Sequence, residues 1–344
     1  MYNSYLNINS KYLCENISQI IKELPKGCKL IPVLKDNAYG LGLCDVASYV
    51  SDFPEIDTVS VAHVSEGIEL RLAGFKQSIL VIGNPLPSLI NESLENRLTL
   101  SVGYKGLVDS LPKGTAIQVM IDSGLHRNGF LPSDLPSFSN LNVIGSYSHF
   151  ADPDDKNRCE EQFKIFTGID LPGIKHISSS ASFENFPEYS LDAVRIGRRL
   201  YQDAPGVQSG LIKEAASWRC YITNIYSANK GDRLGYGNGT VIENDCRLAS
   251  ISVGYGDGLS EKLVGAGGSA LLNGRRCPYK ACFMDQTIID VSGVECSIGD
   301  EVTLFGYDKQ GNLLSSQELA LLAMENEGVG LYSKLSQRVE RIYT

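Results

Sequence analysis

The chain has 344 residues, 43% of them hydrophobic, enough for two domains or for one barrel with an appendage, each with its own core. A net charge of −9 and a pI near 5.1, with no block of basic residues, argue against nucleic acid or an anionic membrane surface as the main partner and leave a small molecule as the expected ligand. Nine scattered cysteines without C-x-x-C spacing point to neither a disulfide framework nor a metal site, and read as buried free thiols of a reducing compartment. Polar Asn3, Asn7, Asn9 and Lys11 stand where a secretory signal needs an apolar run, and no segment has the length of a membrane span, so a cytoplasmic protein is expected.

From residue 28 to 205 short apolar runs recur, each followed by a polar or glycine-bearing turn and then a segment of helical spacing. In chain order they are Leu30–Leu34, Thr58–Ala62, Ser78–Ile82, Leu98–Val102, Ala116–Ile121, Asn142–Ser146, Ile174–Ile177 and Leu191–Ile196. Eight strands alternating with helices predict a parallel (β/α)8 barrel of the TIM type, compact beside the roughly 250 residues such barrels use. Within it, residues 64–74 predict a helix with Ser65 as N-cap, Ile68, Leu70 and Leu72 near one another, and Gly74 at its end. Beyond Trp218 the pattern changes to alternating strands and glycine-rich turns, as at Tyr221–Ile225, Arg247–Val253 and Ser269–Leu272. The expected division is a barrel over 11–212 and a mostly β domain over 213–344, with residues 1–10 pairing with the latter. A helix over Ser316–Glu327 and a strand over Gln337–Tyr343 close the chain.

In such a barrel the chemistry sits on loops at the C-terminal ends of the strands. Lys35 follows the first strand in KDNAYGLG, where Gly40 and Gly42 mark a turn, and an amine at the mouth of a core can be lowered in pKa and used as nucleophile or base. Arg127 follows the fifth strand in DSGLHRNG, and is suited to a carboxylate. His149 follows the sixth, the hydroxyl cluster HISSSAS (176–182) the seventh, and Arg195 with Gly197 the eighth. Hydroxyls, amides and a cation on the last two loops suit a phosphate monoester, and a lysine opposite a phosphate site suggests pyridoxal phosphate. Taken singly, His149 also reads as a hydrogen-bonded core residue, the serines as a solvated turn and Arg127 as a surface ion pair. Their placement on the strand ends of one barrel favours the joint reading.

Seven ordered segments resemble those of bacterial alanine racemases, pyridoxal-phosphate enzymes with a barrel followed by a β domain. They are K-x-N-A-Y-G at Lys35 to Gly40, D-[ST]-G-[ML]-x-R-x-G at Asp122 to Gly129, [TS]-H-F-A at Ser148 to Ala151, H-x-x-x-S-A at His176 to Ala181, V-R-x-G at Val194 to Gly197, G-Y-x-D-G at Gly254 to Gly258, and M-D-Q at Met284 to Gln286. The resemblance implies an isomerase with pyridoxal 5′-phosphate, interconverting L- and D-alanine for peptidoglycan. It implies Lys35 as the Schiff-base lysine and one base, and Tyr255 as the other, reaching in from the second subunit of a head-to-tail homodimer. Two groups on opposite faces of Cα are what removal and return of a proton with inversion requires. By the same resemblance Tyr39, Ser180 and the backbone of Gly197 bind phosphate, Arg195 faces the pyridine nitrogen, His149 lies beside the cofactor, and Arg127, Met284 and Asp285 surround the substrate. Five positions depart from the family pattern: Met120 replaces a carboxylated lysine that supports the site arginine in many relatives, Arg198 replaces an aliphatic residue after the V-R-x-G glycine, Ser179 replaces an asparagine before the phosphate serine, Gln337 replaces a tyrosine of some relatives, and Glu340 replaces the proline of R-V-P-R at Arg338 to Arg341. These changes leave a racemase of serine or of another small or basic amino acid as the alternative, with a decarboxylase or aldolase on the same barrel further off.

Overall fold

The computed structural model describes residues 3–203, 210–237, 239–325 and 328–344. The chain divides into two compact units, one of Asn16–Ala38 and Gly42–Leu200, the other of Met1–Glu15, Tyr39–Leu41 and Tyr201–Thr344.

The chain enters through β1 (Ser4–Ile8), a strand of the second unit. The first unit then carries β2 (Lys29–Pro32), β3 (Thr58–Val61), β4 (Ser78–Val81), β5 (Thr99–Val102), β6 (Ala116–Met120), β7 (Asn142–Tyr147), β8 (Ile174–His176) and β9 (Ala193–Ile196), one for each apolar run of the sequence. Strands β3 to β8 pair in chain order and in parallel, and β2 pairs parallel with β9. The ring closes where Leu34 N–H reaches Ser60 O at 2.8 Å and Arg195 N–H reaches Ser178 O at 3.0 Å. Strands covered on both faces need continuous apolar runs rather than alternation, and Ile79, Leu80 and Val81 of β4 are accordingly all buried. The helix predicted at 64–74 spans Val64–Leu72 and differs in two details. Its N-cap is His63, because Glu66 turns back to accept the His63 N–H at 3.0 Å and so fixes the start two residues before Ser65. Leu72 is 82% exposed, since the buried face runs through Val64, Gly67 and Leu70 and places Leu72 off that stripe.

The second unit is built on β10 (Ala216–Ala228), a long bulged strand that pairs with β1 and serves several neighbours along its length. After the short hairpin β11 (Arg233–Leu234) and β12 (Thr240–Val241) come β13 (Cys246–Ile251), β14 (Ser269–Leu272), β15 (Arg275–Cys282), β16 (Thr287–Asp290), β17 (Glu301–Tyr307), β18 (Leu313–Leu314) and β19 (Glu340–Tyr343). The order β10-β13-β16-β15-β14-β17 returns to β10 and closes an antiparallel barrel, from which β18 on β17 and β1 with β19 on β10 extend. Trp218 and Phe305 meet in its core with ring centroids 5.9 Å apart. The closing helix is shorter than the sequence suggests, Ser316–Leu322, because Met324 takes a left-handed φ of 59°. Residues 326–327 of the expected span lie outside the described residues, and a further helical turn occupies Val329–Tyr332. The last strand begins at Glu340 rather than Gln337 because Arg341 draws the carbonyls of Leu335, Ser336 and Val339 into a turn. All nine cysteines are free, but only Cys159, Cys220 and Cys277 are buried, so the expectation of uniformly buried thiols is corrected.

One buried acid in this unit makes stability pH-dependent. Glu214 accepts a short hydrogen bond from the Tyr332 hydroxyl, yet burial outweighs that bond and the contribution of Ser316 and raises its pKa from 4.5 to about 7. A raised carboxyl contributes fully while protonated in both states, below about 4.5, and its contribution is lost as the pH climbs through 7. The displacement corresponds to on the order of 3 kcal/mol. Thermal unfolding between pH 5 and 8 should therefore show a fall in stability that Glu214→Gln largely removes; an unchanged slope in the variant would assign the dependence to other groups.

Candidate active site

Lys35 leaves β2 at the C-terminal end of the barrel and opens a left-handed helical turn. Asp36, Asn37, Ala38 and Tyr39 have φ of 58°, 55°, 52° and 57°, and Gly40 follows at 86°. Four consecutive non-glycine residues in this region cost about 1–2 kcal/mol each, so the surroundings must impose it. They do so through Ala38 N–H to Leu34 O at 2.9 Å, Gly42 N–H to Asn37 O at 3.0 Å, Leu43 N–H to Asn37 Oδ1 at 2.8 Å, and Asp36 N–H to Glu66 Oε1 at 2.5 Å. In the second unit Gly40 lies against Tyr332, where an added Cβ would stand 2.3 Å from its carbonyl oxygen, and the Tyr39 ring centroid is 5.8 Å from that of Tyr201.

Burial lowers the pKa of the Lys35 amine, aided by the Arg127 cation and, to a lesser degree, by Arg195, against the opposing pull of Asp36 and Glu66. This is the environment that turns a lysine toward a nucleophile or base. Arg127 sits on a loop organised by Asp122, whose Oδ1 accepts the N–H of Gly124 at 2.9 Å and of His126 at 3.0 Å. Burial opposes ionisation of Asp122, but these backbone donors prevail and lower its pKa. Arg127 is exposed, Met120 is buried in the strand below, and among the described residues no carboxylate or carbonyl pairs with the Arg127 guanidinium.

Arg195 is buried and held by neutral acceptors. Its Nη1 donates to His176 Nδ1 at 2.5 Å, its Nη2 to Ser148 O at 2.6 Å and to His149 Nδ1 at 3.2 Å, and its Cζ lies 5.0 Å from the Tyr147 ring centroid. Because an arginine only donates, both histidines accept at Nδ1, and His176 passes its Nε2–H to Gln118 Oε1 at 2.7 Å. Burial, then the charges of Arg195, Arg127 and Lys35, push His149 down to about 3, so it is neutral at any working pH. Burial brings Arg195 itself down to about 10, still protonated near neutrality, and among the described residues no carboxylate neutralises it. His176, Gln118 and Tyr147 were not among the expected site residues; the signal for them is polarity within apolar strands at Gln118 and His176.

On the last loops Ser180 Oγ accepts the N–H of Gly197 at 3.2 Å and of Arg199 at 3.4 Å, which leaves its own proton to donate outward. Ser179 precedes it as the cap of helix Ser180–Asn185. Arg198 is buried and ion-paired with Glu184, which also meets Arg199 Nε at 3.0 Å, while Arg199 Nη1 reaches Glu23 at 2.5 Å. Two arginines and two glutamates thus compensate one another beneath the loop, and neither glutamate carried a sequence signal.

Tyr255, Met284 and Asp285 belong to the second unit, where their two turns dock. Tyr255 N–H reaches Phe283 O and Gly256 N–H reaches Met284 O, both at 2.9 Å. Tyr255 is 41% exposed and Met284 56%, and the Asp285 carboxylate is ion-paired with Arg338.

A parallel barrel with a depressed lysine, two guanidinium groups and hydroxyls on its strand ends belongs with the barrel enzymes that handle small anionic molecules at that face. Family models narrow the class: the alanine racemase N-terminal domain matches residues 8–205 and the alanine racemase C-terminal domain matches 215–343. Curated relatives include the alanine racemase of Clostridium tetani, 33% identical with 98% of this chain and 95% of that protein covered, and that of Methanococcus maripaludis, 31% identical with 98% of each covered. Among solved structures, the biosynthetic alanine racemase of Pseudomonas aeruginosa superposes with a TM-score of 0.90 at 26% identity and full coverage of both chains. That of Bacillus anthracis with bound L-Ala-P gives 0.89 at 26%, covering 100% of this chain and 95% of that one. The chain belongs to the alanine racemase family, whose enzymes are pyridoxal-phosphate-dependent isomerases.

Proposed function

We propose that the protein interconverts L- and D-alanine, with Lys35 and Tyr255 as the two bases and D-alanine for peptidoglycan as the product that matters. The observation that carries the reading is Lys35 at the barrel mouth, its amine held below its ordinary range by burial and by two arginines.

The residues fit pyridoxal 5′-phosphate. Ser180 keeps a free hydroxyl proton beside the Gly197 turn, and Arg195 is a buried cation without a carboxylate partner among the described residues. Lys35 would hold the aldehyde carbon; Ser180, Tyr39, Ser179 and the Gly197 backbone would hold phosphate; and Arg195 would face the ring nitrogen, with His149 beside it. When bound, the cofactor supplies the electron withdrawal that acidifies the substrate α-hydrogen. Arg195, still cationic near neutrality, would donate to the ring nitrogen and keep a proton off it, which weakens electron withdrawal and limits transamination. Arg198 spends its charge on Glu184, so it supports the phosphate loop from beneath.

Lys35 removes or returns the α-proton on one face and Tyr255 on the other, with Arg127 and the backbone around Met284 and Asp285 orienting the substrate carboxylate. The Asp285 side chain is occupied by Arg338 and takes no part in binding that carboxylate. Tyr255 serves the barrel of a second subunit in a homodimer with shared sites, and the protein works in the cytoplasm. Among the described residues no helix is long and apolar enough to cross a membrane.

The unsupported Arg127 favours one competing reading, a racemase of serine or another amino acid. A chiral assay over the proteinogenic amino acids and ornithine should show alanine turning over fastest. A larger rate with serine or a basic amino acid would transfer the assignment to that substrate.

A further inference from the structure

The last turn of the chain joins the two loops that carry Tyr255 and Met284. Arg338 Nη2 lies 2.9 Å from Asp257 Oδ1, and its Nη1 lies 2.7 Å from Asp285 Oδ1. Asp257 is buried, and its second oxygen accepts the Gly254 N–H at 3.0 Å, which sets the start of the Tyr255 turn. Arg338 packs on the backbone beside Tyr255: a Cβ at Gly256 would stand 3.1 Å from its Nη2 and 2.9 Å from Met284 O. The segment bearing Arg338 is itself fixed, since Ser336 N–H reaches Asp257 O at 3.0 Å and Arg341 Nη1 holds Ser336 O at 2.8 Å and Val339 O at 2.5 Å. Among the described residues the Tyr255 hydroxyl has no hydrogen-bond partner, so within this subunit the backbone turn, rather than a partner of the hydroxyl, directs the phenol.

We propose that Arg338 is a positioning residue for proton transfer by Tyr255, a two-point clamp that holds the Tyr255 turn and the Met284–Asp285 turn as one body. The inference rests on the two-base reading above. The exposed pair with Asp285 alone would contribute little. The pair with Asp257 differs, because removing the guanidinium leaves a buried carboxylate uncompensated directly under the turn. A displacement of the turn by a fraction of an ångström is enough to disturb a proton transfer while leaving the fold intact.

The test is α-hydrogen exchange in D2O from L-alanine and D-alanine separately, using the cofactor-loaded Arg338→Gln, Arg338→Lys and Tyr255→Phe proteins. Arg338→Gln should slow exchange about tenfold from the same enantiomer that Tyr255→Phe impairs, and less than about twofold from the other. Its cofactor absorbance should match the parent while its thermal unfolding falls with the loss of the Asp257 pair, and Arg338→Lys, retaining the charge at one point, should recover part of both losses. Equal slowing from both enantiomers, or no slowing, in Arg338→Gln alongside an asymmetric Tyr255→Phe would overturn the clamp while leaving the two-base reading in place. A symmetric Tyr255→Phe would overturn both.

Discussion

Lys35→Ala should lose racemase activity by at least about ten-thousand-fold, more than any other single substitution in the barrel, because in the proposed two-base mechanism one side chain would both hold the cofactor and move a proton. Borohydride treatment of the parent should attach the cofactor covalently, and peptide mapping should find it on Lys35. Attachment at another lysine would remove the basis of the account. The size of the effect follows from position. The amine is delivered at the strand end by four left-handed residues, lies in the field of Arg127 and Arg195, and is lowered in pKa chiefly by burial. An added external amine should restore a fraction of the proton transfer to Lys35→Ala without restoring its cofactor retention, which separates the two roles.

Tyr255→Phe should cost about 10²–10⁴-fold in racemisation, the range of a lost general acid or base. The loss should be one-sided in exchange. The enantiomer whose proton Lys35 removes should still exchange with solvent and return unchanged in configuration, whereas its mirror image should exchange slowly. Mixing inactive Lys35→Ala and Tyr255→Phe chains should regain activity if each site draws Tyr255 from the partner subunit, and verified heterodimers without recovery would contradict shared sites. Within this subunit the turn braced by Arg338 carries the phenol, so Arg338→Gln and this variant should affect the same face.

The barrel was legible because fully covered parallel strands write themselves as short apolar runs, and each of the eight runs became a strand. The charged and hydroxyl residues on their C-terminal ends were legible for a related reason, since polar residues directly after apolar runs stand out. The left-handed turn was not. Gly40 and Gly42 announce a turn, but nothing local announces positive φ at Asp36, Asn37, Ala38 and Tyr39, which tertiary hydrogen bonds impose against intrinsic preference. The same limit hid the cluster of the buried Arg198, Arg199 and Glu184 side chains with the half-buried Glu23, whose partners are up to 176 residues apart in sequence. It also hid the route from Arg195 through His176 to Gln118, a chain of hydrogen bonds across three strands. Helix ends failed locally: His63 rather than Ser65 caps its helix because Glu66 folds back, and the closing helix stops at Leu322 as the backbone turns left-handed at Met324.

The central claim, inversion at Cα by two bases that exchange protons with solvent, is tested most directly by incubating the cofactor-loaded protein with L-alanine in D2O and following configuration and isotope together. The account predicts that D-alanine accumulates to an equal mixture and that the D-alanine formed carries deuterium at Cα. Failure to form D-alanine, or D-alanine that wholly retains the original protium, would contradict it.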